Sequence, residues 1–201
     1  LMKLTDLAAI AQLARARGIV TLADNTFASP LNQRPLDLGI DLVAHSATKY
    51  LGGHSDLIAG VVAGKHDVIE DIWRTAIVTG TSINGFDSWL LLRGMRTLAL
   101  RVAQQNRTAL ALAQFLDAHD GIEAVHYPGL ESHPQHDLAR AQMTGFGGML
   151  SFQVRGGFVG ADRVMSALKL IGRAASLGGV HSTIVHPAAM WAGSFSEEEL
   201  T

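Results

Sequence analysis

The sequence predicts an α/β protein with a mostly parallel sheet flanked by helices, followed by a smaller α/β unit. Three observations carry this. Short, β-branched apolar runs alternate with helical or turn segments through the first half. Twenty-one glycines against five prolines, with 6% aromatic residues, indicate a compact chain with many tight turns. Of 201 residues, 48% are hydrophobic and 17% charged, so a sizeable core is available and disorder is excluded.

The elements follow in order. Leu7, Ile10, Ala11, Leu13 and Ala14 recur at helical spacing, with Thr5 as the expected N-cap and Gly18 at the C′ position. Ile19-Val20-Thr21-Leu22-Ala23 reads as a buried strand. A turn-rich stretch covers residues 24–39, and further strands are expected over 41–45 and 57–63. Phe86, Trp89, Leu90, Leu92, Met95 and Leu98 mark one helical face, and residues 99–118 continue as helix. Arg93, Arg96, Arg101 and Arg107 in this region read as a solvated or ion-paired face. After Asp117-Ala118-His119-Asp120-Gly121 come a strand at 122–126, a turn at Tyr127-Pro128-Gly129 and a helix within 133–143. An alternating strand at 148–154 and an amphipathic helix at 159–171 complete the reading. The composition change places a domain boundary near residue 118.

Composition also bounds function. Lys+Arg is 16 and Asp+Glu 18, a formal net charge of −2, which argues against a nucleic-acid partner. No stretch approaches the ~20 apolar residues of a membrane span. Cysteine is absent, so there is no disulfide scaffold, thiolate metal site or catalytic thiol, and a cytoplasmic location is expected. The opening Leu1-Met2-Lys3-Leu4-Thr5 has no signal-peptide core and runs straight into a helical pattern. The end, Ser196-Glu197-Glu198-Glu199-Leu200-Thr201, is equally abrupt, so the chain reads as a cut through a longer protein.

The chemistry begins with lysine. There are four, and Lys3, Lys65 and Lys169 sit in ordinary surroundings. Lys49 lies in His45-Ser46-Ala47-Thr48-Lys49-Tyr50-Leu51-Gly52-Gly53-His54-Ser55-Asp56, between two predicted strands. A partly desolvated lysine is an amine nucleophile able to form a Schiff base. Read alone, Lys49 is more readily a loop cap. Asp24 follows the first strand, at the sheet edge where α/β proteins bind ligands. Asp24-Asn25-Thr26 is also good turn chemistry. An amine, a carboxylate able to face a cationic ring nitrogen, and the hydroxyls of Ser46 and Thr48 together propose pyridoxal 5′-phosphate (PLP). Ser46 and Thr48 would point the same way in extended backbone. His133 and His136 are spaced as a metal pair, but no third ligand accompanies them and no metal site is expected. Gly145-Phe146-Gly147-Gly148 marks a tight entry into a strand, and Trp73, Trp89 and Trp191 read as core or interface.

Asp24-Asn25-Thr26-Phe27-Ala28-Ser29-Pro30 with residues 46–56 resembles the PLP signature of the Cys/Met-metabolism (trans-sulfuration) enzymes. Leu91-Leu92-Arg93-Gly94-Met95-Arg96-Thr97-Leu98 and Ala175-Ser176-Leu177-Gly178-Gly179-Val180 match as well. The resemblance implies the type I PLP fold. Residues 1–118 would be part of the large PLP-binding domain and 119–201 part of the smaller C-terminal domain, both incomplete. It implies Lys49 as the Schiff-base and catalytic lysine, Asp24 beside the pyridine nitrogen, Ser46 and Thr48 at the phosphate, and Ser176 near the lysine and substrate. It further implies β/γ-elimination or γ-replacement on sulfur-containing amino acids or activated homoserine, in a homotetramer built as a dimer of dimers. A cofactor-free scaffold is the alternative, and an aminotransferase of the same fold a more distant one. Two departures bear on specificity. His181 stands in Gly178-Gly179-Val180-His181-Ser182 where cystathionine-processing members carry Glu, and Trp191 stands in His186-Pro187-Ala188-Ala189-Met190-Trp191-Ala192 where threonine is expected.

Overall fold

The computed structural model describes residues 2–191; Leu1, Ala192 and the acidic end discussed above lie outside the described residues. Helix α1 spans Leu7–Arg15. Its N-cap is Asp6 rather than Thr5: the Asp6 carboxylate accepts the Ala9 N–H at 2.9 Å. Gly18 closes the helix as expected, at φ +64°, with its own N–H on Arg15 O and that of Ile19 on Ala14 O.

That closure delays the first strand. Ile19 is still committed to α1, and Leu42 N–H bonds Thr21 O, so β1 is Leu22–Asp24. A short helix, α2 (Ser29–Asn32), and a 3₁₀ turn (Pro35–Leu38) carry the crossover to β2, Leu42–Ser46. β1 and β2 are parallel, in the register Asp24↔Ala44. β3 (Gly60–Gly64) runs antiparallel to β2, so the described three-stranded sheet is mixed. The reason is the connection: β1 and β2 are joined by a helical crossover, whereas β2 and β3 are joined only by the Lys49 turn. β3 begins later than predicted because Ala59 is bonded to Thr48 instead of the ladder.

Helix α3 (His66–Thr79) was not assigned from sequence; it has no side-chain cap, though Gly80 at φ +71° ends it. α4 (Gly85–Met95) and α5 (Leu98–Asp117) form the helical middle as predicted. β4 (Ile122–His126) pairs antiparallel with β5 (Ser151–Val154), with α6 (His136–Gln142) between them. α7 (Gly157–Ala167), the two-residue strands β6 (Gly172–Arg173) and β7 (Thr183–Ile184), and α8 (Pro187–Trp191) finish the described chain.

Two apolar clusters hold these elements. The first joins Ala47, Tyr50 and Leu51 of the lysine turn to Leu98 and Val102 of α5. The second joins Ala109 and Ala113, further along α5, to Val125, Tyr127 and Leu130. α5 is therefore a spine of roughly 30 Å, at 1.5 Å per residue, shared by both. Outside these clusters much apolar surface is open, although Ala11, Ile40, Leu42 and Val43 are buried. The expected burial of the first strand is not met, since Val20 is 64% and Leu22 57% exposed. Trp73 and Trp89 are also mostly exposed and are not core.

Candidate active site

The carboxyl ends of the parallel pair β1 and β2 share one edge, and the candidate residues gather there. Asp24 is the last residue of β1. Its Oδ1 accepts both the N–H and the hydroxyl of Thr26, the Asx turn anticipated from sequence. Those bonds hold its carboxyl below the usual carboxylate range, and the nearby His45 adds to the effect. Among the described residues no donor reaches Oδ2. His45 itself is buried, which pulls its pKa down and favours the neutral ring.

Ser46 ends β2; its N–H donates to Thr26 Oγ1 at 2.8 Å, and its own hydroxyl has no partner among the described residues. The extended alternation expected between Ser46 and Thr48 stops here, because residues 47–52 form a turn. Thr48 Oγ1 accepts Ala59 N–H at 3.0 Å. The turn is closed by Lys49 N–H on Ser46 O, Gly52 N–H on Ala47 O and Gly53 N–H on Lys49 O. With Ala47, Tyr50 and Leu51 buried on either side, Lys49 is anchored at its base while its amine stays accessible.

Lys49 Nζ donates to Ser176 Oγ at 3.0 Å, across most of the chain. Ser176 sits at φ +104°, a costly conformation for a residue with a Cβ. Its loop is pressed on the lysine turn. A Cβ on Gly178 would stand 2.6 Å from Tyr50 N, and Gln105 Nε2 donates to Gly179 O at 2.9 Å. Ser176 also lines a cleft of about 740 Å³ with Thr48, Asp56, Asp87 and His181. Trp191 lies at the end of α8, outside that lining.

Arg101 departs from the solvated role expected of it. It bonds backbone carbonyls of the lysine turn, and nothing in its spacing signalled this. His133 accepts Gln135 N–H and His136 meets Pro128 O, so both rings have structural partners. Among the described residues no group of three or more His, Cys, Asp or Glu could hold a metal.

The model of the Cys/Met metabolism PLP-dependent enzymes matches residues 1–201. This chain belongs to that family. Among relatives of the Cys/Met family, a probable cystathionine gamma-synthase of Herpetosiphon aurantiacus is 51% identical over 171 residues, 85% of this chain and 54% of that one. The L-methionine gamma-lyase of Pseudomonas putida is 44% identical over 98% of this chain and 50% of its own. A crystal structure of cystathionine gamma synthase from Xanthomonas oryzae pv. oryzae, in complex with aminoacrylate and cysteine, superposes with a TM-score of 0.93. It is 41% identical, and the match covers 98% of this chain and 51% of that one. The chain thus has the fold of these PLP enzymes, as its sequence predicted, and spans about half their length.

The donor set fits the family's cofactor. PLP requires an amine for its aldehyde, an anion for its ring nitrogen and donors for its phosphate. At this sheet edge stand an amine set on a hydroxyl, a carboxylate kept ionised with one oxygen uncommitted, and an uncommitted serine hydroxyl.

Proposed function

We propose that this chain carries the lysine-bearing part of a PLP-dependent enzyme of sulfur amino-acid metabolism. The reaction class is β/γ-elimination or γ-replacement on sulfur-containing amino acids or activated homoserine. The observation that carries it is the Lys49 Nζ–Ser176 Oγ bond at the edge where Asp24 ends β1.

PLP, when bound, supplies an electron sink that stabilises negative charge at the substrate's α-carbon. Lys49 Nζ would be the amine that holds the cofactor and the base that takes the substrate's α-proton. Ser176 Oγ accepts from Nζ and sets the direction in which the amine points. Asp24 Oδ2 would be the anion for the ring nitrogen, since the Thr26 bonds favour the charged carboxylate. Ser46 Oγ would donate to the phosphate; Thr48 Oγ1 accepts Ala59 N–H at 3.0 Å and donates to Ala59 O at 3.4 Å, so it would give up that long bond to reach the phosphate. His181 lines the cleft that receives the substrate's distal end, and disfavours a second ammonium there.

We place the division between the two incomplete domains near residue 118, in the segment linking α5 to β4. We place the protein in the cytoplasm, which its lack of cysteine fits, and in a dimer of dimers, as the family resemblance implies. No described helix is long and apolar enough to cross a membrane, and the exposed apolar surface of α3 and α4 supports assembly.

The test is borohydride reduction of the purified chain with added PLP, followed by peptide mass mapping. A pyridoxyl adduct on Lys49, lost in Lys49→Ala, is expected. A folded chain with no adduct there overturns the reading in favour of a cofactor-free scaffold. Asp24→Asn should retain the adduct yet turn over at least ~100-fold more slowly, the scale of a lost charge partner at a reacting centre. Undiminished turnover in that variant would remove Asp24 from the ring nitrogen.

A further inference from the structure

Arg101 lies in the first turn of α5, and its guanidinium meets only neutral groups. Nη1 donates to Tyr50 O at 2.9 Å and Nη2 to Gly94 O at 2.9 Å, with Leu51 O at 3.5 Å. Nε donates to Thr97 Oγ1 at 3.0 Å. Among the described residues no carboxylate pairs with it. Burial without such a partner lowers its pKa, so the site holds this cation at a cost.

The carbonyls it serves are informative. Ser46, Ala47 and Lys49 spend theirs on closing the lysine turn. Tyr50 and Leu51, the next two residues, spend theirs on Arg101. Gly94 O is at the carboxyl end of α4, where the dipole favours a cation, and it also accepts the N–H and hydroxyl of Thr97, each at 3.2 Å. One fork therefore ties the lysine turn to α4 and α5 together. Two glycines make room for it. A Cβ on Gly53, at φ +74°, would run into the guanidinium, and one on Gly94 would run into Gly52 O.

We propose that Arg101 is the positioning residue for the Lys49 amine, fixing the turn from its downstream side so that Nζ stays on Ser176 Oγ. It acts through the backbone and touches neither cofactor nor substrate. Its planar fork can bond carbonyls on two elements at once, which a lysine's single ammonium cannot reproduce in this geometry. The inference rests on Lys49 being the reactive amine.

The experiment uses the full chain, with PLP as the probe. Trapping by borohydride is quantified at Lys49 relative to Lys65 and Lys169 in the same peptide map, as a function of pH. Arg101→Lys and Arg101→Ala are compared with Arg107→Ala, a control on the exposed side of α5. We expect Arg101→Lys, with native far-UV circular dichroism, to lower the Lys49 ratio roughly tenfold or more. Arg101→Ala should do at least as much. Arg107→Ala should change neither the ratio nor its dependence on pH. Arg101→Lys with a lowered Tm but an unchanged ratio and pH profile overturns the inference alone. Loss of native structure in Arg101→Lys overturns it too, in favour of a purely structural residue. Failure to trap Lys49 in the native chain overturns the amine assignment itself, and this inference with it.

Discussion

A methyl group at residue 178 would stand 2.6 Å from Tyr50 N and 2.9 Å from Lys49 C, in a backbone already at φ +77°. Neither neighbour is a side chain that can swing aside. Gly178→Ala should therefore cost about 2–3 kcal/mol in urea denaturation. It should also weaken Lys49 trapping, because the Ser176 loop must lift. At this scale the sequence was most informative where chemistry is rare. Lys49 stood out among four lysines, and Asp24 by its place after a strand. Arg101 did not, because its partners are backbone carbonyls, and a carbonyl has no residue letter. Ser176 came only through family resemblance; its hydrogen bond to Lys49 joins segments that no local pattern connects. At His181 the expected outcome of His181→Glu is a roughly tenfold rise in kcat/KM for cystathionine relative to methionine. An unchanged ratio would remove that position from substrate choice.

Elements were legible where the apolar period was long or bounded by turn residues. β4 falls where predicted, and α5 ends one residue short of the expected limit. α3 was missed although Ile69, Ile72, Trp73 and Ala76 follow helical spacing; like α5, it starts without a capping side chain. The antiparallel β3 was not legible either. Orientation is decided by what connects two strands, and the Lys49 turn looks the same from both ends. Between β4 and β5, Tyr127 is 1% exposed and its hydroxyl donates to Gly147 O at 2.9 Å. Burial and the neighbouring Tyr50 push its pKa up to about 12, so it stays a neutral donor through the accessible pH range. Tyr127→Phe leaves that carbonyl unpaired and should cost about 1–2 kcal/mol with the fold intact, measured by chemical denaturation. A loss below a few tenths would show that water takes the place of the hydroxyl.

For the molecule as a whole, the histidines set the response to acid. His45 and His133 are buried, His126 is half-buried, and desolvation pulls all three below the ordinary value of 6.5. A base whose folded pKa is depressed binds its proton more readily when unfolded. Stability is then complete above about pH 6.5 and is lost as pH falls towards the folded values. Thermal unfolding should therefore show a lower Tm at pH 5.5 than at pH 7.5, and His133→Asn should flatten part of that slope. An unchanged Tm across this range would mean the rings are protonated in place. Asp24, with its depressed carboxyl, contributes only at much lower pH.

The bond between Lys49 and Ser176 also has a history in time. The two residues are 127 positions apart. At about 5–20 residues per second, a ribosome releases Ser176 roughly ten seconds after Lys49. During that interval the nascent Lys49 lacks the Ser176 hydroxyl, and the bond can form only once the loop of residues 174–179 has been made.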